Sequence, residues 1–82
     1  MIKVKDVDYL ENYRLLLVFS DGVKKEVDLE PYLKGEVFGP LRDKTMFIQD
    51  GLTPTTIEWV NGADLAPEFL YRIGNTVIED SK

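Results

Sequence analysis

Ile57-Glu58-Trp59-Val60-Asn61-Gly62-Ala63-Asp64-Leu65 places the only tryptophan of the chain, an Asn-Gly pair and a helix-start signal in one short run. The β-branched and aromatic residues before Asn61 suit a pleated, half-buried strand. Asn61-Gly62 suits a tight turn, because both residues tolerate positive φ. Asp64 then stands where a carboxylate caps the orphan N–H groups of a helix. The run reads as strand, turn, helix, with Trp59 in the core.

Downstream, Leu65, Phe69 and Ile73 recur every fourth residue with Leu70 beside them, which gives one apolar stripe on a helix running to Gly74. Upstream, Ile48 to Leu52 alternates, Thr53-Pro54-Thr55 supplies turn chemistry, and Thr56 to Val60 returns as the second strand of a hairpin. Asp28-Leu29-Glu30-Pro31 repeats the order of Asp64-Leu65-Ala66-Pro67, which is either an internal duplication or, the favoured reading, the outcome of capping chemistry that selects these residues at any strand-to-helix junction. The earlier copy predicts a short helix capped by Asp28 and ended by Gly35. Between the two copies, Gly39-Pro40 breaks the chain and Asp43 caps a further turn through Thr45 and Met46.

The N-terminal part reads as strands. Ile2 to Leu10 alternates with a phase slip between Val4 and Val7 that a bulge would absorb. Glu11-Asn12 makes a turn into the apolar run Tyr13 to Phe19, and Asp21-Gly22 makes a hairpin into Val23 to Leu29. A two-residue loop at Asp21-Gly22 sets Phe19 opposite Lys24, Leu17 opposite Glu26 and Leu16 opposite Val27. Leu16, Val18, Val23 and Val27 then face the core. Leu15, Leu17 and Phe19 share the other face with Lys24, Glu26 and Asp28, a second apolar patch that needs a later helix or another chain to cover it. The expected architecture is α+β: an antiparallel sheet of about five strands in two or more hairpins, with short helices on one face. Residues 1–74 form one domain, and residues 75–82 are a tail, either frayed or an interaction strand.

The 82 residues allow a single small core, and 44% hydrophobic residues with nine aromatics are enough to close it. A net charge of −5 repels phosphate, and Lys24-Lys25 is the only adjacent basic pair, so direct nucleic-acid binding is disfavoured. The chain has neither cysteine nor histidine, which excludes disulfides and thiolate or imidazole metal sites and fits a reducing cytoplasm. No apolar run approaches the roughly 20 residues that span a bilayer, and the N-terminus lacks a signal-peptide core.

Chemistry would fall to carboxylates. Asp6, Asp8, Asp50 and Asp64 are available, but no segment has the alternating oxygen ligands, central glycine and terminal glutamate of a calcium loop. Ser20, Ser81 and the threonines lie outside any nucleophile elbow, and the glycines are scattered singly at turns. Isolated acids on strands and caps are usually solvated or structural. Trp59, Asn61 and Asp64 are the one constellation able to hold a ligand or peptide, an indole plane flanked by an amide and a carboxylate. Leu15, Leu17 and Phe19 are the complementary candidate for docking a protein or a second copy.

Phe19-Ser20-Asp21-Gly22, Val27-Asp28-Leu29 with Tyr32-Leu33, Val37-Phe38 to Leu41 with Asp43 and Phe47, and above all the run from Glu58 to Tyr71 resemble the bacterial domain-of-unknown-function family 2442. The Trp-x-Asn-Gly-Ala-Asp-Leu-x-Pro run is the specific part, and members often carry proline where this chain has Val60. The resemblance implies a small α+β fold. It also implies a protein that stands alone, precedes a helix-turn-helix repressor domain, or forms half of a toxin-antitoxin-like pair, with no established catalytic residues. The combined expectation is a cytoplasmic, non-enzymatic module without cofactor that binds another small protein or itself. The second expectation is a ligand-sensing or regulatory domain built on Trp59.

Overall fold

Strand β1 spans Val4–Tyr9, β2 Arg14–Phe19 and β3 Lys24–Asp28. Single helical turns follow, α1 at Gly35–Phe38 and α2 at Lys44–Phe47, with 3₁₀ turns at Glu30–Tyr32 and Gly39–Arg42. Strands β4 at Asp50–Leu52, β5 at Ile57–Trp59 and β6 at Asp64–Leu65 precede helix α3 at Pro67–Ile73, and β7 is Asn75–Thr76. These elements come from a computed structural model that describes residues 1–77. The class is α+β and antiparallel, as expected, but the strands divide between two sheets, ordered β1-β2-β3-β7 and β4-β5-β6. Both sheets and the helical turns feed one core that includes Leu15, Leu17, Phe19, Leu29, Leu41, Phe47, Ile57, Trp59 and Leu70.

The β2–β3 hairpin corrects the expected register. Gly22 N–H donates to the Phe19 carbonyl at 2.9 Å and Phe19 N–H to the Val23 carbonyl at 2.9 Å, so Ser20, Asp21 and Gly22 form a three-residue loop. Asp21 Oδ1 accepts the Val23 N–H at 3.0 Å and holds its own backbone at negative φ; only Gly22, at φ 87°, is left-handed. That is a type I turn closed by a glycine bulge, not a type I′ turn. Leu15 therefore pairs with Val27, Leu16 with Glu26 and Leu17 with Lys25. A slip of one residue reverses every side chain. Leu15, Leu17 and Phe19 are buried with Val27, whereas Leu16, Val18 and Val23 are only half-buried. The phase slip in β1 is a true irregularity, for the β1–β2 register shifts between Val4 and Asp6.

Two expected helices change form. Asp28 Oδ1 accepts the Glu30 N–H at 3.0 Å, yet the helix is only the 3₁₀ turn over Glu30–Tyr32, because Leu33 and Lys34 leave helical geometry and Gly35 sits at φ 85°. Gly35 starts α1 instead of ending a helix. Asp64 does not cap α3. Backbone pairing with β5 draws Asp64 opposite Glu58 and Leu65 opposite Ile57, and the helix starts at Pro67 behind Ala66. Proline at the first position has no N–H to satisfy, so the missing cap costs less. Asp43 does cap α2, accepting the Thr45 N–H at 3.0 Å.

The first residues of the expected tail take the strand alternative. Thr76 pairs with Lys25 and Asn75 with Glu26, and Val77 N–H donates to the Lys24 carbonyl at 2.9 Å, so the start of the presumed tail is an edge strand of the main sheet. The expectation for Ile78 to Lys82 lies outside the described residues. Among those described, no helix is long and apolar enough to cross a membrane.

Candidate functional site

The β5–β6 turn uses the same construction as the β2–β3 turn. Gly62 N–H donates to the Trp59 carbonyl at 2.9 Å, Trp59 N–H to the Ala63 carbonyl at 2.8 Å, and Asn61 Oδ1 accepts the Ala63 N–H at 3.1 Å. Gly62 carries the positive φ, 88°; Asn61, expected there too, does not, since its side chain completes the turn from a right-handed backbone. The Asn61 amide then reaches across to the Val37 carbonyl at 2.9 Å and ties the turn to α1.

Trp59 points inward and is 2% exposed. Its indole N–H donates to the Phe47 carbonyl at 2.8 Å, and its ring lies against Phe47 with centroids 5.8 Å apart. No face of the indole is left to receive a ligand. Leu15, Leu17 and Phe19 are equally withdrawn: Phe19 meets Tyr71 of α3 edge-on at 4.9 Å, so a later helix supplies the cover. Tyr71 in turn donates its hydroxyl to Asp21 Oδ2 at 2.7 Å, fastening α3 to the β2–β3 turn. This bond, followed by that from the Val23 N–H, holds the Asp21 carboxyl below its ordinary pKa, and the same bond raises Tyr71. Of the six residues singled out in the sequence, only Asn61 and Asp64 reach the surface.

The surface beside them went unread. Val60 is 64% exposed, Ile48 51% and Val37 50%. The Asn61 bond to Val37 and a 3.2 Å bond from Val60 N–H to the Gln49 carbonyl bring these three aliphatic residues to the tip of the three-stranded sheet. Alternation along β5 placed Val60 on the outer side with Glu58, a readable signal. Val37 lies within α1 and Ile48 directly follows α2, helical turns too short for any periodicity.

That tip is also acidic. The chain has no lysine or arginine between Lys44 and Arg72, whereas Asp50, Glu58, Asp64 and Glu68 lie within that interval. Glu58 stands directly opposite Asp64, both exposed, and neither has an ion-pair partner among the described residues. Asp50, opposite Trp59, keeps Oδ2 buried without a hydrogen bond, and burial pushes its carboxyl above the ordinary pKa. Among the described residues no three acids come close enough to hold a metal ion. An open groove of about 270 Å³ lies elsewhere, lined by Gly22, Val23, Lys24, Thr76 and Val77.

Fold and site together define a small α+β module in which two antiparallel sheets share one core, and the smaller sheet presents an acidic surface with an aliphatic tip. The chain belongs to the DUF2442 family, described as a protein of unknown function, whose model matches residues 4–76. No curated protein and no solved structure matches the chain.

Proposed function

We propose that this chain is a non-enzymatic protein-binding module, the antitoxin-like half of a small two-protein pair. The observation that supports this reading is the convergence of Val37, Ile48 and Val60, each at least half exposed, at one turn held in place by Asn61. Exposed aliphatic side chains scattered singly are ordinary, but three on segments tied together at the β5–β6 turn and bordered by charge have the anatomy of an interface centre with a polar rim. The sheets and the Asn61 bond pre-form the contact surface, so little ordering would be lost on binding.

The test is co-expression with the protein encoded beside it. The two should co-purify at a fixed ratio, and Val60→Asp should abolish the complex while leaving the melting temperature within a few degrees. A partner that fails to co-purify with the wild-type chain removes the pair. The ligand-sensing alternative loses its support with the burial of Trp59, whose indole has neither an exposed face nor a free N–H.

A further inference from the structure

We propose that the outer face of the three-stranded sheet receives a lysine or arginine of the partner protein between Glu58 and Asp64, with the partner's adjoining aliphatic residues seated on Val60, Ile48 and Val37. This rests on the protein-binding reading and names the partner's chemistry.

Directly opposed residues on neighbouring antiparallel strands have Cβ atoms only about 4.5–5.5 Å apart, where like charges destabilise the pair. Glu58 and Asp64 occupy such positions, and among the described residues no cation neutralises them. The ion pairs among the described residues include Arg14 with Glu11 and Glu26, and Arg42 with Glu30, none of them at Glu58 or Asp64. On the other flank of Glu58 stands Gly51, around which even an added Cβ would meet nothing within 4 Å. Glu58 is thus open on the side away from Asp64, with room for an incoming side chain. Entering across that open flank, a guanidinium or ammonium that reaches between the two carboxylates would turn a repulsive pair into two charge-assisted hydrogen bonds. Val60 follows β5 directly as the first residue of the β5–β6 loop and is exposed like Glu58, so the charged and aliphatic contacts lie close together along the chain.

The same charges select the class of partner. An acidic face repels nucleic acid and anionic lipid. Two carboxylates supply too few oxygens for calcium, which takes about 6–8. A basic protein segment satisfies both halves of the surface.

The experiment titrates the isotopically labelled chain with a synthetic peptide of alternating leucine and arginine, and with the same peptide carrying neutral citrulline for arginine. Amide resonances of residues 48–50 and 58–65 should shift with the arginine peptide, about tenfold more weakly with the citrulline peptide, and about tenfold more weakly in Glu58→Gln/Asp64→Asn. The double variant should also melt no lower than the wild type, because a repulsion has been removed. Equal binding of the two peptides, undiminished binding by the double variant, or no binding of the arginine peptide overturns the proposal. A rise in mass with concentration that Val60→Asp abolishes overturns it in favour of a second copy. If the neighbouring protein still binds the double variant but not Val60→Asp, the charge assignment falls while the protein-binding reading stands; if it also binds Val60→Asp, the whole surface assignment falls, and only failure to bind the wild type removes the protein-binding reading.

Discussion

Replacing Trp59 by phenylalanine keeps an aromatic ring in the core and removes one donor, so it isolates what the indole contributes. The lost bond is the 2.8 Å contact to the Phe47 carbonyl, made by a buried residue. Leaving a buried acceptor without its donor costs about 1–3 kcal/mol. The smaller ring also withdraws two carbons from the packing, worth about 1.5 kcal/mol at about 0.8 kcal/mol per buried methylene. The sum is about 2.5–4.5 kcal/mol. At 0.05–0.15 kcal/mol per residue, a domain of this length holds about 4–12 kcal/mol in all. The variant should therefore melt about 10 °C or more below the wild type, since each kcal/mol moves the midpoint of so small a domain by about 4–8 °C. Urea denaturation followed by far-ultraviolet circular dichroism measures the loss without relying on the missing fluorophore. An unchanged slope with a loss below about 1 kcal/mol would refute the reasoning, as would wild-type indole emission that is red-shifted and readily quenched.

The two turns and the carboxyls give further checks. Gly62→Ala meets open space, so its cost is that of a left-handed backbone, about 1–2 kcal/mol. Gly74→Ala has an ordinary φ but would bring its methyl to 2.9 Å from Lys25 Cβ and 3.0 Å from Val27 Cγ2, so about 1–3 kcal/mol of overpacking is expected; urea melts of both variants decide. Asp50 has a folded-state pKa raised by burial, so the folded chain takes up its proton before the unfolded chain does. The cost of its charge is therefore absent at low pH and is incurred as pH rises through the folded value, and Asp50→Asn should gain on the wild type at neutral pH but not near pH 3. Asp21 titrates low because Tyr71 and Val23 bond its charged form, so its contribution is held above the ordinary value of 3.8 and lost as pH falls through the folded value. Tyr71→Phe should return the Asp21 titration, followed by carboxyl resonances, toward the ordinary range.

What could be read from the residues was the existence of elements. Trp59 to Ala63 and Phe19 to Val23 announced their turns by Asn-Gly and Asp-Gly, and Asp43 announced its cap. The loop length was not legible, because Asp-Gly and Asn-Gly serve a two-residue I′ turn and the last two places of a three-residue loop alike. That ambiguity of one residue exchanged the buried and outward faces of β2 and made Leu15, Leu17 and Phe19 look like a surface. Asp64 misled for another reason: a carboxylate that can cap a helix can equally end a strand, and only the pairing of β5 with β6, a tertiary event, chooses. The aliphatic tip was illegible because it assembles from α1, the end of α2 and the β5–β6 turn, which only the fold brings together.

Strand β7 is two residues long, yet it decides where the protein can safely be cut. It covers the backbone of Lys25 and Glu26, and Val77 extends the cover to Lys24. A chain ended at Gly74 would keep every buried aromatic and still present β3 as an open edge, with unpaired amides and carbonyls ready to recruit a strand from any neighbouring molecule. The first 74 residues expressed alone would be a self-associating fragment, and additions to the protein belong after the pairing with Lys24.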